Sequence, residues 1–210
     1  MYGAMAKTLE SLTDAAVRVV PVTRLEWVAA TTEAGWARIL LRLHETVLAT
    51  LKEENRSSVT LVGHSAGGVM GRLYLSPRPF LGHTFNGLSR VSHLVTLGSP
   101  HGNVRGAHLR RWVDRTLPGA YFSPEVTYTT VCGKAIQGDG RGDARARLVH
   151  FLYRYLCGRG DEWGDGIVPL PSAQLEGAVN LVLEGVSHAP VGGRRWYGSP
   201  HVVREWWQSA

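Results

Sequence analysis

The chain is 210 residues long, 44% hydrophobic and 19% charged, with a formal charge of +6 and a pI near 9.7. This length and polarity suit one soluble globular domain over residues 1–210, built around a single buried core. No apolar run approaches the ~18 residues of a membrane-spanning helix, and the first 20 residues lack the charged head and apolar centre of a signal peptide. The excess of arginine favours acidic surfaces such as anionic lipid, which leaves peripheral membrane contact open. The arginines are scattered, however. Their densest group, residues 141–147 (RGDARAR), has no nucleic-acid motif around it and reads as a solvated insertion, so no nucleic-acid partner is expected. Cys132 and Cys157 form no CxxC and no ladder of spacings, which predicts two buried free thiols rather than a disulfide framework or a zinc site.

In chain order, Met5, Leu9 and Leu12 share helical spacing within residues 1–12. Residues 17–22 (VRVVPV) begin a series of apolar, β-branched runs that continues at 58–63, 91–97, 126–132 and 178–186. Such runs suit strands buried on both faces of a parallel sheet. Between the first two, Trp36, Ile39, Leu40, Leu43, Val47 and Leu51 mark one face of a helix. A second helix is predicted from Gly67 to Leu75, and 144–157 and 201–208 are further helical segments. Loops rich in Gly and Pro are expected at 76–90, 98–107, 118–124 and 158–173, with residues 139–164 as an insertion. Strand and helix in alternation give an α/β fold with right-handed crossovers, whose chemistry sits at the carboxyl ends of the strands.

One such end carries Gly63-His64-Ser65-Ala66-Gly67, a G-x-S-x-G between an apolar strand and a helix. A serine on so tight a turn takes a strained conformation and needs small neighbours, which Gly63, Gly67 and Gly68 provide. Ser65 is therefore the candidate nucleophile, and the N–H of Ala66 the candidate donor to an oxyanion. A serine hydroxyl needs a base, and the base needs an acid to fix its tautomer. Asp165, between two glycines in GDGIVP, is the favoured acid over Asp139, Asp143, Asp161 and Glu162, which lie in charged sequence. His188, in the loop after the last strand, is the favoured base over His44, His150 and His201, and His64 reads as structural. Trp27, Phe80, Phe85, Tyr121, Phe122 and Trp163 are candidates for lining an acyl site, with core packing as the alternative for each. No HExxH, phosphate-binding loop or dinucleotide fingerprint occurs, so no metal and no cofactor are expected.

The pieces LVGHSAGG, NGLSRVSHLVTLGSPH, GDGIVP, GVSHAP and WYGSPHVVREWW resemble the α/β-hydrolase superfamily. The likeness is to lipase-like serine esterases of bacteria, cyanobacteria and plastids, and more distantly to GPI inositol-deacylases. It runs from about residue 58 to residue 210, and the preceding part matches more loosely. The resemblance implies the α/β-hydrolase fold, a Ser65–Asp165–His188 triad, Ser99–Gly102 at the rim of the cleft and, on its own authority, a plastid address, with a cytoplasmic one as the alternative. It also implies a strand and Gly-rich loop, the source of a second oxyanion donor, that residues 1–57 do not contain. Their place would be between 17–22 and 58–63, and an N-terminally truncated fold preceded by about 20 to 60 further residues is the expectation. The activity expected is hydrolysis of carboxylic esters of lipid or acyl type. Thioesterase or acyltransferase chemistry on the same triad, or a catalytically silent scaffold binding a lipid or protein, are the alternatives.

Overall fold

Four of the five β-branched runs line up as one parallel sheet. The computed structural model describes residues 2–102, 104–105 and 108–209; Asn103, Gly106 and Ala107 of the predicted loop 98–107 lie outside the described residues. The elements are α1 (Gly3–Thr13), α2 (Arg24–Ala29), α3 (Glu33–Glu53), β1 (Val59–His64), α4 (Ala66–Leu75), β2 (Val91–Leu97), α5 (His108–Thr116) and β3 (Thr127–Lys134). They continue with β4 (Ile136–Gln137), α6 (Ala144–Cys157), β5 (Trp163–Gly164), α7 (Leu170–Ala173), β6 (Val179–Glu184) and α8 (Pro200–Ser209). The sheet order is β1-β2-β3-β6, every pair parallel, while β4 and β5 make a small antiparallel pair of their own.

Because side chains alternate along a strand, adjacent core residues serve opposite faces. Leu94 and Tyr128 pack with Trp36 and Leu40 of α3, Val69 of α4 and Val113 of α5. Cys132, two residues on from Thr130 and so on the face of Tyr128, meets Leu156 of α6 and Ala173 of α7. Val95, Leu97 and Val131 point the other way, onto Met5 and Leu9 of α1 and Val202, Val203 and Trp206 of α8. Helices thus cover both faces, which is why the strand runs are apolar throughout rather than alternating.

Helix starts follow local chemistry. The Thr23 hydroxyl and the Glu26 carboxylate form a capping box on α2, Thr32 accepts the Gly35 N–H at 3.1 Å ahead of α3, and Asp143 accepts the Ala146 N–H at 2.8 Å ahead of α6. The segment read as an insertion is better integrated than its charge suggested. The arginines of 141–147 are exposed, but Val149, Tyr153 and Leu156 turn the other face of α6 into the core. Cys157 is half-buried rather than buried, and both cysteines are free. Among the described residues no helix is long and apolar enough to cross a membrane.

The run 17–22 is not a strand. Its apolar pattern was right for β structure, but a strand exists only through a ladder, and this segment has no partner: Val22 N–H bonds locally to Val20 O, and Pro21 has no N–H to give. β1 is consequently an edge of the sheet. The N–H groups of Val59 and Ser65 bond across to Arg90 O and Leu97 O, so by parity Thr60, Val62 and His64 turn their backbone groups to the open side. That side opens on a cavity of about 660 Å³ whose walls include Val17, Val20, Leu43, Val47, Leu61 and Val62.

Candidate active site

Ser65 stands at the carboxyl end of β1 with φ 54° and ψ −128°, a conformation that non-glycine residues rarely adopt. The turn survives because strand and helix can touch: a Cβ on Gly63 would lie 2.6 Å from the Cα of Gly68, and one on Gly68 would lie 2.9 Å from the Cβ of Thr96. Gly67 is different, since a Cβ there would meet nothing within 4 Å. The predicted need for small residues therefore holds at Gly63 and Gly68 and not at Gly67. Although Ser65 precedes α4, its hydroxyl makes no capping bond; it lies 3.1 Å from His188 Nε2 instead. Ala66 is the first residue of α4, where N–H groups have no intrahelical acceptor.

His188 is held at three points. Its Nδ1 is 2.7 Å from Asp165 Oδ2, its backbone N–H donates to Asp165 O at 3.0 Å, and its carbonyl accepts from His64 Nε2 at 3.0 Å. A carboxylate accepts, so Nδ1 carries the proton and Nε2 is free to accept the Ser65 hydroxyl hydrogen. Asp165 is buried on a tight turn in which its Oδ1 takes the N–H groups of Ile167 and Val168 at 2.9 and 2.8 Å. α6 braces that turn: the Gly166 N–H donates to Tyr153 Oη at 2.9 Å, and Tyr153 Oη donates to Ile136 O at 3.3 Å.

Two further residues touch this arrangement. His64 is structural in its contacts: its Nε2–H donates to the carbonyl of His188 while Tyr2 Oη donates to its Nδ1 at 2.9 Å. Burial first, and then the nearby His188, push its pKa down to about 4, so it stays neutral. Tyr197 was not foreseen as a separate residue; its Oη donates to Asp165 Oδ2 at 2.8 Å. Only its place in the segment WYGSPH pointed to it, since nothing in a lone tyrosine's spacing signals an acid partner 32 residues away.

Other expectations are corrected. Ser99, Pro100 and His101 are buried rather than at a cleft rim. Ser99 Oγ donates to Gly63 O at 3.4 Å, and His101 sits between Thr96 Oγ1 at 3.0 Å and Nη1 of Arg72 at 3.4 Å. Arg72, itself buried, also donates to Leu117 O. Phe80 and Phe85 are core residues, with Phe122 packed against the same core. Tyr121 is exposed, and Trp163 is exposed with Lys134 Nζ 5.3 Å from its ring centre. Trp27 alone of the six aromatic candidates borders the large cavity, which reaches Gly63, His64 and Gly67 but not Ser65 itself. Of the rival acids, Asp143 caps α6, Asp139 accepts the Arg141 N–H, and Glu162 pairs with Arg159. Among the rival bases, His44 bonds Tyr74 and His201 bonds Arg195.

The sequence matches no family model, and a comparison with curated proteins finds no match.

Proposed function

We propose that the chain is a serine hydrolase of carboxylic esters, with the fold of the α/β-hydrolases and Ser65, His188 and Asp165 as its catalytic groups. The observation that carries this reading is the unbroken line from a strained serine to a buried carboxylate: Ser65 Oγ to His188 Nε2 at 3.1 Å, then His188 Nδ1 to Asp165 Oδ2 at 2.7 Å. In the reaction His188 Nε2 takes the hydroxyl proton as Ser65 Oγ bonds to the acyl carbon. Negative charge collects on the carbonyl oxygen, and the Ala66 N–H is the donor offered to it. His188 then gives the proton to the leaving alkoxide, and the acyl group stays on Ser65. Water, deprotonated by the same nitrogen, attacks that ester and releases the acid, restoring Ser65. Asp165 keeps the Nδ1 proton in place and stabilises the imidazolium as it forms. The resemblance supports an ester with a lipid-like acyl part.

The test is covalent labelling by a fluorophosphonate, together with turnover of short- and long-chain p-nitrophenyl esters. Labelling and turnover that vanish in Ser65→Ala are expected. Absence of both in the unmutated protein, or their persistence in Ser65→Ala, would reject the reading.

A further inference from the structure

Asp165 Oδ2 accepts two hydrogen bonds, one from His188 Nδ1 at 2.7 Å and one from Tyr197 Oη at 2.8 Å. The phenol is not a free rotor. Gly133 N–H, in β3, donates to the same Oη at 2.8 Å, so the tyrosine hydrogen is directed at the carboxylate. The ring is fully buried, and the carbonyl of Tyr197 is pinned by Trp206 Nε1 at 2.9 Å from α8.

The surrounding backbone is shaped around this pair. A Cβ on Gly98, which has φ +52°, would come within 2.5 Å of Asp165 Oδ2 and 2.7 Å of Tyr197 Oη. A Cβ on Gly133 would collide with the carbonyl of Val186 and approach Asp165 Cβ and Tyr197 Oη to 3.0 Å. Two glycines in neighbouring strand ends thus leave room for one phenol and one carboxylate.

From this geometry we infer that Tyr197 is a positioning residue for the acid–base pair, acting through Asp165 rather than on substrate. It links the β3 backbone to Asp165, and Asp165 to His188, so the imidazole is held from the sheet as well as from its own loop. Burial, with Asp165 second, raises the phenol pKa, so Tyr197 remains a donor throughout the working range. Its hydrogen bond shares the charge on Oδ2. Without it the carboxylate becomes a stronger acceptor for His188 Nδ1–H and loses one of the bonds that orient it.

The inference rests on the hydrolase reading for its kinetic effect, but its test does not depend on that reading alone. Tyr197→Phe keeps the ring and removes the hydroxyl. It is expected to lower kcat about 10- to 100-fold, the effect of losing one hydrogen bond to a charged group, with KM little changed and the acid limb of the pH–rate profile moved to higher pH. The His188 Nδ1–H proton should resonate far downfield in the unmutated protein and move further downfield in Tyr197→Phe. In Tyr197→3-fluorotyrosine, a stronger donor of nearly the same shape, it should move the opposite way, which keeps the test usable if the phenylalanine variant folds poorly. A proton signal that stays put in both variants, or a Tyr197→Phe protein with unaltered kcat and acid limb, would reduce Tyr197 to packing and overturn the inference. If the unmutated protein takes up no fluorophosphonate, the hydrolase reading fails, while the proton signal still decides whether Tyr197 orients the pair.

Discussion

Ser65 divides two regions built to different standards. On the His188 side every polar atom of Asp165 has a partner, and the glycines at 98 and 133 leave no spare space. On the β1 side the strand ends the sheet, alternate backbone groups face a cavity of about 660 Å³, and Gly67 has open room around it. The contrast separates two ways of restraining Ser65. The backbone strain of the turn comes from β1 meeting α4, whereas the hydroxyl's orientation comes from the far side of the sheet through His188.

Three experiments probe that contrast. The largest effect is expected on the packed side from Asp165→Asn, which offers His188 an amide and frees the imidazole to take the wrong tautomer; fluorophosphonate labelling should slow by roughly 10³- to 10⁴-fold. Labelling at an undiminished rate would mean that the acid is dispensable. Next come the paired substitutions Gly133→Ala and Gly67→Ala, compared by urea unfolding. The first should cost on the order of 3 kcal/mol, because backbone must move to admit the methyl. The second should be neutral or stabilise by up to about 1 kcal/mol, the helix propensity gained where nothing is displaced. Equal losses from the two would erase the difference between the regions.

The smallest effect per unit of change is a slope in pH. His64 has its pKa lowered to about 4, so below the ordinary histidine value of 6.5 the unfolded chain binds a proton that the folded chain refuses. Stability from this group is therefore complete above pH 6.5 and drains away as the pH falls toward 4, by about 3 kcal/mol in all. His101, His93 and His44 are shifted in the same direction and steepen the loss. In melting curves recorded from pH 7 to pH 4, His64→Gln should flatten part of this slope. An unchanged slope would mean that His64 is not buried between Tyr2 and His188 as described.

Local signals carried most of what could be read in advance. The Ser65 turn, four strands and the principal helices each announce themselves within a few residues, because apolar period, glycine spacing and caps act over that range. The chain order of Ser65, Asp165 and His188 rests instead on the fold that the G-x-S-x-G turn implies. The run 17–22 failed because being a strand is a property of a pair. Ser99 and His101 failed because burial depends on what α4 and Arg72 bring to them. α5 went unread since its only buried side chains, Leu109 and Val113, are a single helical step in a polar stretch. Tyr197 and His64 were obscured by distance, their partners lying 32 and 124 residues away in sequence.

The bond from Trp206 to Tyr197 has a consequence for synthesis. A growing polypeptide can place Ser65 on its turn once β1, β2 and α4 have emerged, long before His188 exists to meet its hydroxyl. Asp165, His188 and Tyr197 follow in that order, and the last anchor arrives with α8. A nascent chain stalled ahead of Trp206 would lack the indole that holds the Tyr197 carbonyl, so the Tyr197–Asp165–His188 contacts are expected to settle only once α8 has docked.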